Sequence, residues 1–163
     1  MITPEDFNEL KSKSLQKKKE NKKFFQQLKK KKSGEVASMF KEAHEEVFAC
    51  TDCLKCANCC KTTGPLFTQK DIERISKALK LKPGDFVAQY LRIDEDGDYV
   101  LQTLPCPFLG AHNYCSIYDV RPKACREYPH TDSPKVQQFL HLALKNTSIC
   151  PAVFEIVEKL KEY

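Results

Sequence analysis

Apolar residues recur at helical spacing along much of the chain. Val36, Met39, Phe40, Ala43, Val47 and Phe48 fall three or four apart, which predicts an amphipathic helix after a break at Ser33-Gly34. Thr68-Gln69-Lys70-Asp71 is a capping box, and Ile72, Ile75 and Leu79 mark the buried face of the helix it opens. Pro83-Gly84 ends that helix, and Phe86, Val87, Tyr90 and Leu91 suggest a short helix beyond. "DEDGDYVLQT" reads as a turn followed by a strand. The loop-rich segment from Cys106 holds a candidate strand at Ser116–Tyr118 and a helical turn opened by Arg121-Pro122. Ser133-Pro134 starts a helix with Val136, Phe139, Leu140 and Ala143 inward. Cys150-Pro151 opens a last one with Val153, Ile156, Val157 and Leu160. The expected fold is mainly α with a small β-hairpin (α+β), a cysteine-rich, metal-centred single domain.

The first 34 residues follow another pattern. Thr3 can cap a helix, Pro4 suits its first turn and Asp6 can bond back. Beyond them the apolar stripe is broken and narrow: Phe7, Leu10, Leu15, Phe24, Phe25 and Leu28. This predicts a mostly solvated, Lys-rich N-terminal helical arm over 1–34, followed by a metal-binding domain over 35–163.

Charge sharpens the division. The chain has 163 residues and a net charge of +5. Residues 1–34 hold 11 Lys and four acids, while the remainder carries 16 basic and 18 acidic side chains. The basicity therefore belongs to the arm and says little about the partners of the body. No Arg or stacking platform accompanies the arm's lysines, so nucleic acid is not the partner this composition favours. No segment is apolar enough to cross a membrane. "MITPEDFNELKSK" lacks an apolar leader core, and its early acids argue against a mitochondrial presequence, so a cytoplasmic location is expected.

Location bears on the nine cysteines. In a reducing compartment a dense thiol cluster points to metal rather than disulfides. "CTDCLKCANCC" (residues 50–60) places Cys53, Cys56 and Cys59 at the x₂ spacing that lets sulfurs face one ion. Cys59 and Cys60 are adjacent, and neighbouring side chains usually diverge, which hints at a polynuclear site or two nearby centres. Cys106, Cys115, Cys125 and Cys150 follow singly. With Cys50 aside, eight remain, the count for two Cys₄ centres. Cys50 ends an amphipathic helix and reads equally as core. Cys50-x₂-Cys53-x₂-Cys56-x₃-Cys60 also has a bacterial ferredoxin spacing, but Lys61 stands where Pro normally follows and there is no second run. Because the later cysteines come one at a time, with no second knuckle, the reading leans slightly to iron or an iron–sulfur cluster over mononuclear zinc. Polynuclear zinc fits as well. The triplet Asp94, Asp96 and Asp98 hints at calcium, but the Gly is misplaced for an EF-hand.

"CLKCANCC", "CPFL", "CSIYDVRPKACREYP" and a late "CPA", in that order, resemble the CxxCxxCC cysteine-cluster family (YkgJ type, a zinc- or iron-chelating domain). The pattern is also similar to a segment of flagellin lysine methylases. The resemblance covers Cys53 to Cys150. It implies metal chelation by Cys53, Cys56, Cys59, Cys60, Cys106, Cys115, Cys125 and Cys150. It also favours Arg121 as a donor to thiolate sulfur, against a salt bridge to Asp119 or Glu127. Tyr118 and Tyr128 read as core, and His112 as an exposed loop residue rather than a ligand.

Three functions follow as expectations: zinc or iron chelation for storage, delivery or structure; an iron–sulfur redox protein or oxidoreductase subunit with a protein or redox partner; and a metal-stabilised interaction module whose basic Lys arm does the binding. No catalytic motif is evident beyond a redox-active metal centre.

Overall fold

A computed structural model describes residues 4–163. In chain order the elements are α1 (Pro4–Lys30), α2 (Ser33–Phe48), α3 (Cys53–Cys56), α4 (Asn58–Thr62), α5 (Gln69–Ala78), α6 (Pro83–Tyr90), β1 (Leu91–Ile93), β2 (Tyr99–Leu101), α7 (Lys123–Glu127), α8 (Leu140–Asn146) and α9 (Pro151–Leu160). Three short 3₁₀ turns fall among them at Ala111–Asn113, Tyr118–Val120 and Val136–Phe139. The chain is 64% helical with one small antiparallel sheet, as the apolar spacing predicts. The chain divides into two compact units. The first combines Met1–Lys55 with Pro129–Tyr163, and the second is Cys56–Tyr128.

In the first unit α2 and α9 pack together through the stripes legible in their sequences. Val36, Phe40, Ala43 and Val47 meet a core that includes Val153, Ile156, Val157 and Leu160. Burying each of these side chains larger than Ala43 contributes roughly 1.5–3 kcal/mol. The anticipated helix after Ser133-Pro134 begins as a 3₁₀ turn at Val136 and becomes α8 only at Leu140. Helix α1 is less solvated than its composition suggests, because Leu10, Phe25 and Leu28 are buried. Polar groups fill the gaps in its narrow stripe: Ser14 Oγ and Thr147 Oγ1 lie 2.8 Å apart, and Lys161 Nζ donates to Asn21 Oδ1 at 3.0 Å. At the far end Gln137 Nε2 donates to the carbonyls of Leu28 and Lys31, at 3.0 and 2.9 Å. Such bonds satisfy C-terminal carbonyls that a helix cannot pair internally. The cap assigned to Thr3 lies outside the described residues.

The second unit centres on an aromatic cluster. Phe86, fully buried on α6, has ring centroids of Phe67, Tyr90 and Phe108 at 6.1, 5.4 and 6.3 Å. Helix α5 carries the predicted capping box: Thr68 Oγ1 accepts from Asp71 N at 3.1 Å, and Asp71 Oδ2 accepts from Thr68 N at 2.9 Å. Strand β1 pairs with β2 in the register Leu91↔Leu101 and Ile93↔Tyr99. Leu91, expected in the helix, instead begins β1. The turn between the strands occupies Asp94 Oδ1 with the N–H groups of Asp96 and Asp98, at 3.0 and 2.9 Å, and Gly97 supplies its φ of 81°.

No strand forms at 116–118. Ser116 N–H donates to Phe108 O and Gly110 N–H to Tyr114 O, which closes a tight loop with one isolated bridge, Leu109↔Cys115. His112 and Asn113 turn that loop through left-handed φ of 58° and 61°, and His112 is exposed. The chain then enters the 3₁₀ turn at Tyr118. Tyr118, read from sequence as core, is 54% exposed. Its ring lies under the Arg121 guanidinium instead of in the apolar cluster.

Candidate metal centre

The cysteine run folds as two short helices with a joint between them. Ala57 adopts φ 49°, which stops α3 and starts α4. A left-handed alanine costs on the order of 1–2 kcal/mol, so surrounding structure must hold it there. The Ala57 carbonyl accepts from Cys60 N and Lys61 N, at 3.1 and 3.2 Å. The first turn of α4 thus carries Cys59 and Cys60 side by side.

Their thiols do not diverge as adjacency suggests. Cys59 and Cys60 are hydrogen-bonded to each other through their side chains. On a helix, neighbours are about 100° apart rather than opposed as on a strand, which leaves the two sulfurs within reach. A polynuclear reading therefore draws on the number of thiols, not on divergence of this pair.

The later single cysteines reach this helix from separate loops. Cys106 N–H donates to Cys60 O at 2.8 Å, which pins the segment that follows the cis Leu104–Pro105 bond. The Cys106 sulfur accepts backbone N–H groups of Phe108 and Leu109, and the Cys115 sulfur accepts that of Ile117. Such donors favour a thiolate over a thiol. Cys125 lies on α7, and electrostatic interactions link it to Cys60, Cys106 and Cys115.

These sulfurs raise one another's pKa. The bond from Cys59 pushes Cys60 far up, burial adds to it, and the Cys59 charge opposes ionisation further. Burial raises Cys106 and Cys115, and nearby thiols add to it. Cys125 is pushed up to about 12, first by the protein packed around its sulfur and then by its three thiol neighbours. The residue as a whole is exposed, so the crowding is local to the sulfur. A cation would reverse the balance, because thiolate ligands are deprotonated by the ion they bind. Among the described residues no three Cys, His, Asp or Glu side chains are arranged to hold a metal ion as they stand. The thiols are gathered but not closed.

Two cations act on this group among the described residues: Lys61 on Cys60, and Arg121 on the later cysteines. The Arg121 charge lowers the pKa of Cys115 and Cys125. The guanidinium stacks on Tyr118 at 4.0 Å and donates through Nη1 to Tyr118 O at 2.8 Å. Glu127, its alternative partner, pairs with Lys123 at 3.8 Å. The segment bearing Arg121 and Cys125 is anchored by residues that sequence reasoning missed. Asp71, 1% exposed, accepts from Arg74 Nη2 at 2.7 Å and from Lys123 N at 3.1 Å. Arg74 also donates to the carbonyls of Val120 and Arg121, at 3.3 and 2.9 Å. The capping box pointed to Asp71, but nothing in it reveals a bond 52 residues along the chain.

Cys56 is half-buried at the end of α3. Cys53 and Cys150 belong to the first unit. There Cys53 is exposed at the start of α3, and half-buried Cys150 caps α9, its N–H donating to Asn146 O at 2.8 Å. Cys50, a candidate core residue from sequence, is exposed because the chain has already left α2 and turned.

The soft donor set fits zinc or iron, both of which take thiolate. A family model described as "CxxCxxCC: Putative zinc- or iron-chelating domain" matches residues 52–151. The chain belongs to that family. Its match begins after Cys50 and takes in the other eight cysteines. No curated protein and no solved structure matches the chain. Metal binding is thus the family's chemistry, and no helix among the described residues is long and apolar enough to cross a membrane.

Proposed function

We propose that the protein binds zinc or iron as thiolate complexes for storage, delivery or structure, in the cytoplasm. Cys59, Cys60, Cys106, Cys115 and Cys125 are the central donors, and the sequence pattern adds Cys53, Cys56 and Cys150. One observation carries this reading: cysteines from separate segments converge, with Cys106 N–H bonded to Cys60 O and the thiols of Cys60, Cys106 and Cys115 all raising the Cys125 pKa. Small hydrophobic cysteines are most often fully buried, and none of these is. The thiol number supports a polynuclear or paired centre, with a slight preference for iron, including an iron–sulfur cluster. Arg121 offsets part of the negative charge and tunes the sulfurs.

Purification without oxygen, followed by elemental analysis, acid-labile sulfide and a visible spectrum, tests the proposal. Stoichiometric iron with sulfide and a brown colour supports the cluster. A colourless protein with stoichiometric zinc keeps the chelation and eliminates the redox reading. Protein that takes up neither metal after reduction and reconstitution overturns both.

A further inference from the structure

Helix α1 is a continuous rod through Lys30, with its apolar stripe committed inward at Leu10, Phe25 and Leu28. That commitment fixes what faces water. Lys11, Lys18, Lys22 and Lys29 recur at intervals of seven, four and seven and form one exposed row. Lys19, Lys23 and Lys30 form a second exposed row beside it. At 100° per residue the seven lysines occupy an arc of about 140°.

Charge on this rod is segregated rather than mixed. Between Lys11 and Lys30 the only acid is Glu20, which lies off the arc and bonds to Lys17 and Lys161, both at 3.1 Å. The seven arc lysines make no ion pair among the described residues, whereas Lys13, Lys17 and Lys31 each do. Lys18–Lys22 and Lys19–Lys23 are like-charge pairs four apart, which destabilise a helix where Glu–Lys pairs would support it. A merely solvated helix gains nothing from this arrangement.

We propose that this lysine face docks on the phosphate backbone of a double-stranded nucleic acid, without reading sequence. The row from Lys11 to Lys29 spans about 27 Å at 1.5 Å per residue, the rise of about eight base pairs. Exposed Leu15 lies within the arc, but no Arg and no aromatic residue does, so base edges and unstacked bases have no reader. Insertion into a membrane needs an apolar face, and that face of α1 is already buried; among the described residues a single exposed Leu15 on the lysine face does not replace it. The sequence alone counted against nucleic acid for lack of a platform. A fixed, acid-free face needs none to hold phosphates.

Binding of the full-length, metal-loaded protein to a mixed-sequence DNA duplex of about 16 base pairs, twice the row's span, tests this by fluorescence anisotropy. With the four lysines of one row engaged, affinity should fall about 100-fold between about 50 and 200 mM salt. Combined Lys18→Gln, Lys22→Gln and Lys29→Gln should cut the log–log salt slope by about 2.7. Combined Lys70→Gln, Lys77→Gln and Lys82→Gln removes equal charge elsewhere and should leave binding near wild type. Helicity by circular dichroism and metal content check that each variant is intact. The proposal is overturned if both triple variants bind alike, if the wild type ignores the duplex, or if it prefers phosphatidylserine vesicles.

Discussion

The two units are held together by different means. Among the described residues the first unit's core cluster contains fourteen buried apolar side chains, drawn from α1, α2, α8, α9 and the turn before α8. The second unit's cluster has eight, three of them Phe, and the segments carrying its cysteines are short helices and loops. Apolar burial dominates the first, with polar bonds at Ser14, Asn21 and Gln137 filling its gaps. The second adds a polar clamp at Asp71 and a set of thiols that repel when ionised. A region short of apolar surface can still be specified if an ion supplies the missing cohesion.

Metal removal should separate the units most sharply. Under a strong chelator, residues 50–65 and 104–128 should lose hydrogen-exchange protection, while amides of the α2–α9 pair keep theirs. Unchanged exchange at 104–128 after complete removal would refute the coupling of metal and fold. Next in size, Phe40→Ala should cost the first unit about 3–5 kcal/mol in denaturant unfolding. Metal stoichiometry of the folded protein should stay intact, and its loss would mean the units do not differ as described.

Asp71→Asn should have an intermediate effect, about 1.5–3 kcal/mol, because it weakens a charged clamp at a buried site. Burial alone would raise the pKa of Asp71, but the bonds from Thr68, Arg74 and Lys123 outweigh it and hold the carboxyl below its ordinary value. Its contribution is therefore complete above the unfolded value near pH 4 and disappears as pH falls through the folded one. The Asn variant should show a shallower acid limb of stability than wild type. Equal limbs would remove Asp71 from the second unit's support. The smallest effect should come from Arg121→Gln, a loss of metal affinity of about tenfold in chelator competition, at the weak end for outer-shell partners. A Lys at the same position should restore part of it, since charge rather than shape is what reaches Cys115 and Cys125.

Periodic elements were the readable part. The stripes of α2 and α9 and the Thr68–Asp71 box state their partners locally, through spacing and capping. The loops of the second unit did not, because long-range bonds define them: Cys106 to Cys60, Ser116 to Phe108, Lys123 to Asp71. Ser116–Tyr118 looked like a strand because its residues suit one, yet the turn at 110–114 leaves room for a single bridge. Spacing nominates the cysteines as ligands. It does not reveal their mutual orientation, and the Cys59–Cys60 hydrogen bond is the clearest instance. Burial of α1 was missed because Ser14 and Asn21 interrupt the apolar stripe, and the partners that accommodate them lie more than a hundred residues away.

The first unit combines two separate stretches of sequence, and the second is the stretch of sequence from 56 to 128 that separates them. During synthesis the apolar face of α2 emerges long before α9, its partner, leaves the ribosome. The cysteine-bearing stretch from 56 to 128 is by then already available. Ion capture can thus precede completion of the larger core, and the interval leaves α2 in need of shielding until the final helix arrives.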